Sequence, residues 1–382
     1  MPPIPLLLSA GEASGDMYAA RLATALQDRL DVQLFGMGGP QMRAAGVQIV
    51  MNYEEVAVVG ITEILKHLPS LLNAMDRVVA EAAKRKPALA ILTDFPGFHL
   101  RLARKLQHRQ IRNVYYICPQ FWAWRPWRAN LIRRRFEKAL CIFPFEKEFF
   151  SNAGVSTEFI GHPLVGTVAA TKDRKQFCAE NNLAAGRALV AVLPGSRTAE
   201  LRHHLPVLQE ACAQIHAKMP VQFVVAAAHA KDVELLKSGW PASLKMCVAE
   251  GQTYNALAAA DAAIISSGTA TVEAALLDVP MVVIYRVSPL TATLAKPLVR
   301  TPFFAMVNLI AEKRLVPELV QGELTPEKLA RETLRLLQDP NARTAMRAGL
   351  GEVRRRLGPP GAVERAADAI ARLLERGAGN DS

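Results

Sequence analysis

Short apolar runs and amphipathic segments alternate along almost the whole chain. In the first half the runs are Ile4–Ala10, Val32–Gly36, Ala88–Thr93, Asn113–Cys118, Ala139–Phe143 and Thr157–Ile160. Between them lie helical candidates such as Tyr18–Leu30, Ile61–Lys84 and His99–Arg109. After a more polar stretch, Thr167–Asn182, the alternation restarts with Ala188–Leu193, Val221–Ala227, Lys245–Ala249, Ala262–Ser266 and Met281–Tyr285. Non-alternating apolar strands are buried on both faces, and intervening helices make the sheets parallel. The pattern predicts an α/β protein of two doubly wound, Rossmann-like domains facing across a cleft, with a helical C-terminal tail. The expected boundaries are 1–166, 167–340 and 341–382, the last segment packing back on the first domain or on a partner subunit. Thr325-Pro326 reads as a helix start and Asp339-Pro340 as its end. Ala362–Arg376 reads as the final helix, with Ala366, Ile370, Leu373 and Leu374 on one face.

Composition narrows the classes. With 51% hydrophobic and 21% charged residues over 382 positions, disorder is excluded as a description of the whole chain. The longest uncharged stretch, Phe159–Thr171, falls short of the roughly 18 apolar residues of a spanning helix. Met1–Ala10 lacks the basic residues of a signal peptide and reads as a first strand, so a cytosolic, soluble or peripheral protein is expected. The five cysteines are scattered without a CxxC pair, which favours buried thiols over disulfides or zinc. The net charge of +11 points to an anionic partner: nucleotide, phosphorylated lipid, acidic membrane or nucleic acid.

Two loops of the second half suit a nucleotide diphosphate. Ser266-Ser267-Gly268-Thr269-Ala270-Thr271-Val272-Glu273 follows a strand and opens a helix, where free N–H groups and a positive dipole end meet a ligand. Ser267, Thr269 and Thr271 offer hydroxyls, Gly268 offers close approach, and Glu273 can accept from a ribose. A simply capped helix accounts for the same residues. Leu193-Pro194-Gly195-Ser196-Arg197 offers a guanidinium to phosphate, or else only a surface turn. No Walker pattern and no GxGxxG after the first strand is present.

The first half carries acids at strand ends. Gly11-Glu12-Ala13-Ser14-Gly15-Asp16 is a sugar-site candidate or a capped turn. Asp94, closing the strand Ala88–Thr93, is placed to be desolvated and to act as a base. Trp122, Trp124 and Trp127 interleave with Arg125 and Arg128, which suits sugar rings, acyl chains and phosphate, or less readily nucleic acid. Ile61, Ile64, Leu65, Leu68, Leu71, Leu72, Met75 and Val79 form a stripe whose usual meaning is core, the alternative being a bilayer contact.

Together these segments resemble the lipid-A-disaccharide synthase family, inverting glycosyltransferases of the GT-B class. The resemblance rests on Gly11–Asp16, Asp94–Phe98, Trp122–Arg125, Phe143–Glu146, Gly161–Pro163, Leu193–Arg197, Ser267–Glu273 and Val316–Leu319, in family order. It implies transfer from UDP-2,3-diacylglucosamine to 2,3-diacylglucosamine 1-phosphate, giving the β-1,6 lipid A disaccharide 1-phosphate and UDP. By resemblance Asp94 is the base with Glu12 beside it. Arg197, Ser267, Gly268, Thr269 and Thr271 hold the diphosphate, Glu273 the ribose, and Asn308 and Gln321 lie near the nucleotide. Trp124, Arg125 and Arg128 are candidates for the acceptor's sugar and phosphate. No cofactor or metal is implied, and no Asp-x-Asp occurs. The resemblance also turns Ile61, Ile64, Leu65, Leu68, Leu71 and Leu72 into a contact with the cytoplasmic leaflet of the inner membrane, and leaves a homodimer open. His99 stands where the family often has Asn, and Val307 and Glu312 also depart from its pattern. The rivals are an epimerase or lipid II-type transferase of the same fold, and a binding protein without turnover.

Overall fold

The computed structural model describes residues 2–55, 68–288, 292–293 and 301–378. The chain divides into two compact units, residues 1–163 with 358–382, and residues 164–357.

The first unit is built on seven parallel strands: β1 (Ile4–Ala10), β2 (Val32–Gly38), β3 (Gln48–Asn52), β4 (Leu89–Thr93), β5 (Asn113–Tyr116), β6 (Lys138–Cys141) and β7 (Thr157–Phe159). Their spatial order is β3-β2-β1-β4-β5-β6-β7, so the winding direction reverses between β1 and β4. Around them run α1 (Ala13–Gln27), α2 (Pro40–Ala44), α3 (Leu68–Arg85), α4 (Pro96–Gln107), α5 (Phe121–Trp124), α6 (Ala129–Arg135) and α7 (Pro144–Asn152). All five residues of β4 are buried, as a strand between two neighbours and two helical layers requires.

The apolar stripe of α3 divides in two. Ala74, Met75, Val78, Val79 and Ala82 enter the core under the sheet, each large one worth about 1.5–3 kcal/mol of burial. Leu71 packs partly against that core, whereas Leu72 is 44% exposed. Met75 and Val79 thus belong to the core. Ile61, Ile64 and Leu65 lie outside the described residues, and Leu68 is described only as backbone at the start of α3.

The second unit repeats the plan with six parallel strands: β8 (Ala188–Leu193), β9 (Val221–Ala227), β10 (Met246–Glu250), β11 (Ala262–Ser266), β12 (Met281–Tyr285) and β13 (Glu318–Val320). Their order is β10-β9-β8-β11-β12-β13, with the reversal between β8 and β11. Its helices are α8 (Arg174–Glu180), α9 (Thr198–Lys218), α10 (Val233–Lys237), α11 (Thr253–Ala259), α12 (Ala270–Leu276), α13 (Met306–Ala311), α14 (Pro326–Gln338) and α15 (Pro340–Arg356). The Thr325 side chain caps α14 by accepting from Lys328 N at 3.3 Å. Asp339 caps α15 through Asn341 N and Ala342 N.

Of the residues beyond 340, α15 groups with the second unit and the last helix, α16 (Ala362–Ala378), with the first. Ala366, Ile370 and Leu373 are buried there, α16 packs on α1, and Arg29 pairs with Asp368 at 2.7 Å. Among the described residues no helix is long and apolar enough to cross a membrane.

Candidate active site

Doubly wound sheets bind ligands outside the carboxyl ends of their strands, where the winding reverses. In the first unit that point lies between β1 and β4. The loops leaving those strands are Gly11–Asp16 and Asp94–Phe98, so topology alone brings the two motifs together.

Their contact is close. A Cβ on Gly11 would stand 2.4 Å from the Phe95 ring, and one on Gly15 only 1.8 Å from Asp94 Oδ2, so neither position tolerates a side chain. Gly11 N donates to Asp94 Oδ1 at 3.2 Å, while Oδ2 is buried without a hydrogen-bond partner. Burial, and then the negative charge of Glu12, push the Asp94 carboxyl well above its ordinary range against the opposing Gly11 bond. Glu12 itself is exposed at the N-cap of α1, and its side chain makes no capping bond. Asp16 has a different role: it accepts from Gly39 N, Gln41 N and Met42 N at 2.6, 3.0 and 3.2 Å, holding the start of α2.

Asp94 and Phe95 are both left-handed, with φ of 53° and 40°. For residues with a Cβ this costs about 1–3 kcal/mol each and persists only where surroundings impose it. The Asp94 carbonyl accepts from Tyr115 Oη at 2.6 Å and meets His99 Nδ1 at 2.9 Å. His99 Nε2 lies 2.8 Å from Ser9 Oγ. Ser9 and Tyr115 did not stand out in the sequence, because a lone polar residue in an apolar run gives no sign of its partner, and His99 stood out only as a departure from the family's pattern, with no role attached.

The tryptophan segment splits by exposure. Trp122 is anchored, donating from Nε1 to Glu146 Oε1 at 3.3 Å. Glu146 is wholly buried and also accepts from Ile142 N and Phe143 N; burial lifts its pKa to about 8. Trp124 and Trp127 are 37% and 60% exposed, and Arg125 stacks on Trp124 at 4.4 Å. Arg128 lies over the rings of Phe121 and Trp127, with its Nε buried and unpaired. It helps line a groove of about 550 Å³ that runs along α4. Leu72, Met75, Leu100 and Leu131 form its apolar lining, and Arg101, Arg104, Lys105 and Arg135 its charges. Burial, and then the neighbouring Arg125 and Arg101, lower the pKa of Arg128, while Lys105 of the same groove pairs with Asp76 at 2.5 Å. Arg101 and Arg104 gave no signal in the sequence, since helix-face arginines are common.

In the second unit the reversal between β8 and β11 receives Leu193–Arg197 and Ser266–Glu273. Arg197 is largely exposed and pairs with Glu200 at 3.2 Å. Behind it His204, fully buried, meets Pro194 O at 2.6 Å through Nδ1 and accepts from Arg286 N at 2.9 Å through Nε2. This histidine, which the sequence did not reveal, ties the loop after β8 to the end of β12. Gly268 and Thr269 are exposed, and Ser267 Oγ donates to Phe304 O at 2.6 Å. Thr271 is buried and its hydroxyl is spent on Gly268 O at 2.8 Å, so it shapes the turn instead of offering a donor. Glu273 accepts from Tyr254 Oη at 3.2 Å, has its pKa raised by burial, and lines a cavity of about 320 Å³ with Ala227, Gly251 and Asn255.

Asn308 is fully buried with its amide engaged: Nδ2 donates to Val316 O and Glu318 Oε1, and Oδ1 accepts from Leu315 N and Val316 N. Glu318 in turn accepts from Phe304 N and Ala305 N. Gln321 is left-handed at φ 53°; with its side-chain amide turned so that nitrogen faces Val287 O and oxygen faces Val287 N, both lie 3.2 Å away, and its backbone carbonyl accepts from Arg286. Asn308 and Gln321 thus brace the loops on either side of β13.

Comparison with known proteins follows the same outline. A UDP-GlcNAc 2-epimerase from Neisseria meningitidis matches with a TM-score of 0.63 at 10% identity, over 98% of this chain and all of that one. The calicheamicin glycosyltransferase CalG4 matches at 0.63 and 18%, over 98% and 99%. At such identities they share the GT-B architecture and nothing more is implied. Sequence is more specific: the family described as lipid-A-disaccharide synthetase matches residues 6–360. The lipid-A-disaccharide synthase of Solibacter usitatus is 45% identical over 97% of both chains. A match that spans both sheets and every loop described above leaves one assignment: the chain belongs to the lipid-A-disaccharide synthase family.

Proposed function

We propose that the protein transfers 2,3-diacylglucosamine from its UDP carrier to the 6-hydroxyl of 2,3-diacylglucosamine 1-phosphate. The products are the β-1,6-linked lipid A disaccharide 1-phosphate and UDP. The observation that carries the reading is the carboxylate of Asp94 at the reversal point of the first sheet, its proton affinity raised by burial and its Oδ2 buried without a partner.

Asp94 Oδ2 takes the proton of the acceptor hydroxyl as that oxygen attacks the anomeric carbon. The bond from that carbon to the diphosphate breaks on the opposite face, so configuration inverts and UDP leaves with the electron pair. A raised proton affinity suits a base that must pull on an alcohol. Glu12 keeps that affinity high by its charge. Charge on the departing diphosphate is met by Arg197 and by the turn at Ser267–Thr269, with Glu273 holding the ribose in the cavity beside Tyr254. Thr271, Asn308 and Gln321 act by holding those loops in place.

On the acceptor side, the groove of α3, α4 and α6 joins cations to an apolar lining. That combination fits a phosphorylated, acylated sugar, with Arg128 and Arg125 toward the phosphate and Trp124 toward the ring or chains. Exposed Leu72 and Trp127 beside the same cations support peripheral attachment to the cytoplasmic leaflet of the inner membrane. A homodimer stays a matter for solution measurement.

The test combines purified protein with both lipids in detergent micelles and follows UDP release and disaccharide mass. Asp94→Asn is expected to lower turnover by about 10²–10⁴-fold. UDP release that does not need the acceptor, or undiminished disaccharide formation by the variant, would overturn the reading.

A further inference from the structure

A base is only as good as the backbone that aims it, and here that backbone is held in an unfavourable conformation. The Asp94 carbonyl can only accept, so the ring nitrogen 2.9 Å away, His99 Nδ1, carries a proton. A neutral imidazole then accepts at Nε2, and the Ser9 hydroxyl 2.8 Å away donates to it. Burial keeps the ring neutral by lowering its pKa to about 4, so a single tautomer persists through neutral pH. The His99 backbone N–H also donates, to Phe95 O at 3.0 Å. One residue therefore braces both carbonyls of the left-handed pair. Tyr115 Oη holds the first carbonyl from a second direction.

We infer that His99 is a positioning residue for the reaction: with Ser9 behind it and Tyr115 beside it, it fixes the Asp94 peptide so that Oδ2 stays bare and aimed. Among the described residues the groups that face it are Ser9, the Asp94 carbonyl, the Thr93 backbone, and the rings of Phe95 and Phe98 at 6.2 and 5.6 Å. None of these makes direct contact between His99 and the carboxylate, so the action runs through the main chain. Without the Nδ1 donor the Asp94 carbonyl loses one of the two side-chain donors that hold it, the peptide plane turns more easily, and the carboxylate moves toward water.

This rests on Asp94 being the base, and the tests separate the two. His99→Leu is expected to lower kcat by about 100-fold, the size of effect that a misplaced reacting group produces. KM for the UDP-sugar, bound in the other unit, should stay unchanged. The acidic limb of the kcat profile should move to lower pH, because a carboxylate turned toward water ionises more easily. His99→Asn keeps a donor at the position of Nδ1 and should restore most of the rate and the limb. Tyr115→Phe, which removes one oxygen from a fully buried ring, should reproduce the limb shift without unfolding. Independently of turnover, the ¹⁵N signals of His99 should report Nδ1–H and bare Nε2 between pH 6 and 8. An unchanged rate and limb in folded His99→Leu, beside an inactive Asp94→Asn, would overturn the inference and leave the base intact. A His99→Asn protein as slow as His99→Leu, or the opposite tautomer, would overturn it too. An active Asp94→Asn would instead remove the base itself.

Discussion

Asp94 is a carboxyl that burial holds out of its ordinary range, with one oxygen bonded to Gly11 N and the other bare. Its pKa is raised, so ionisation is disfavoured in the fold, and if Asp94 is the base proposed above the kcat profile should show an acidic limb above the usual carboxylate range. Glu12→Gln removes the charge that lifts it and should move that limb to lower pH, which a kcat–pH profile reads directly. By the same sign, Asp94→Asn should raise the melting temperature near neutral pH while lowering turnover as stated above. Gly15→Ala places a methyl 1.8 Å from Oδ2 and should cost activity about as much as losing the base. Gly186→Ala, which meets nothing within 4 Å, should leave turnover unchanged. Asp94 was legible in the sequence because an acid stands out at the end of an unbroken apolar run. Ser9, His99 and His204 were not, because their meaning lies in partners 90, 5 or 82 positions away. Thr271 and Asn308 show the converse: the sequence displays hydrogen-bonding capacity, and only the fold shows it already used.

At the scale of elements, buried parallel strands announced themselves by unbroken apolar runs, and most observed strands fall within a residue or two of the expected spans. The edge strands β3 and β13 did not, since one carries polar ends and the other is three residues long. Helix starts were legible at Thr325, where the capping residue is local, but not at α2, whose cap is contributed by Asp16 from a different helix. Asp16→Ala should therefore destabilise the first unit by about 1–3 kcal/mol, measured by denaturant unfolding, because three backbone donors lose their acceptor. Its effect on turnover should follow stability and not the pH profile. The loops Gly11–Asp16 and Asp94–Phe98 were readable as a candidate site for a topological reason: each follows a strand next to a winding reversal, where doubly wound sheets bind ligands irrespective of sequence.

For the whole molecule, the excess of +11 is not spread evenly, since the groove between α4 and α6 gathers cations without an acid among its lining residues. Replacing Arg101 and Arg104 together by Glu should reduce binding to vesicles containing acidic phospholipid, in a sedimentation assay. Raised ionic strength should weaken the wild-type protein in the same way. Unchanged binding by the double variant would remove this groove from membrane attachment. The helix α16 has a consequence of another kind. The second unit is inserted between Pro163 and Gly358, so the first is assembled from two stretches of chain that synthesis makes far apart in time. When the ribosome has finished all seven strands of the first sheet, the flank of α1 that α16 covers is still bare, and it stays bare while residues 164–357 emerge. The half of the protein made first is thus the half completed last, and the intervening unit can fold before its predecessor is closed.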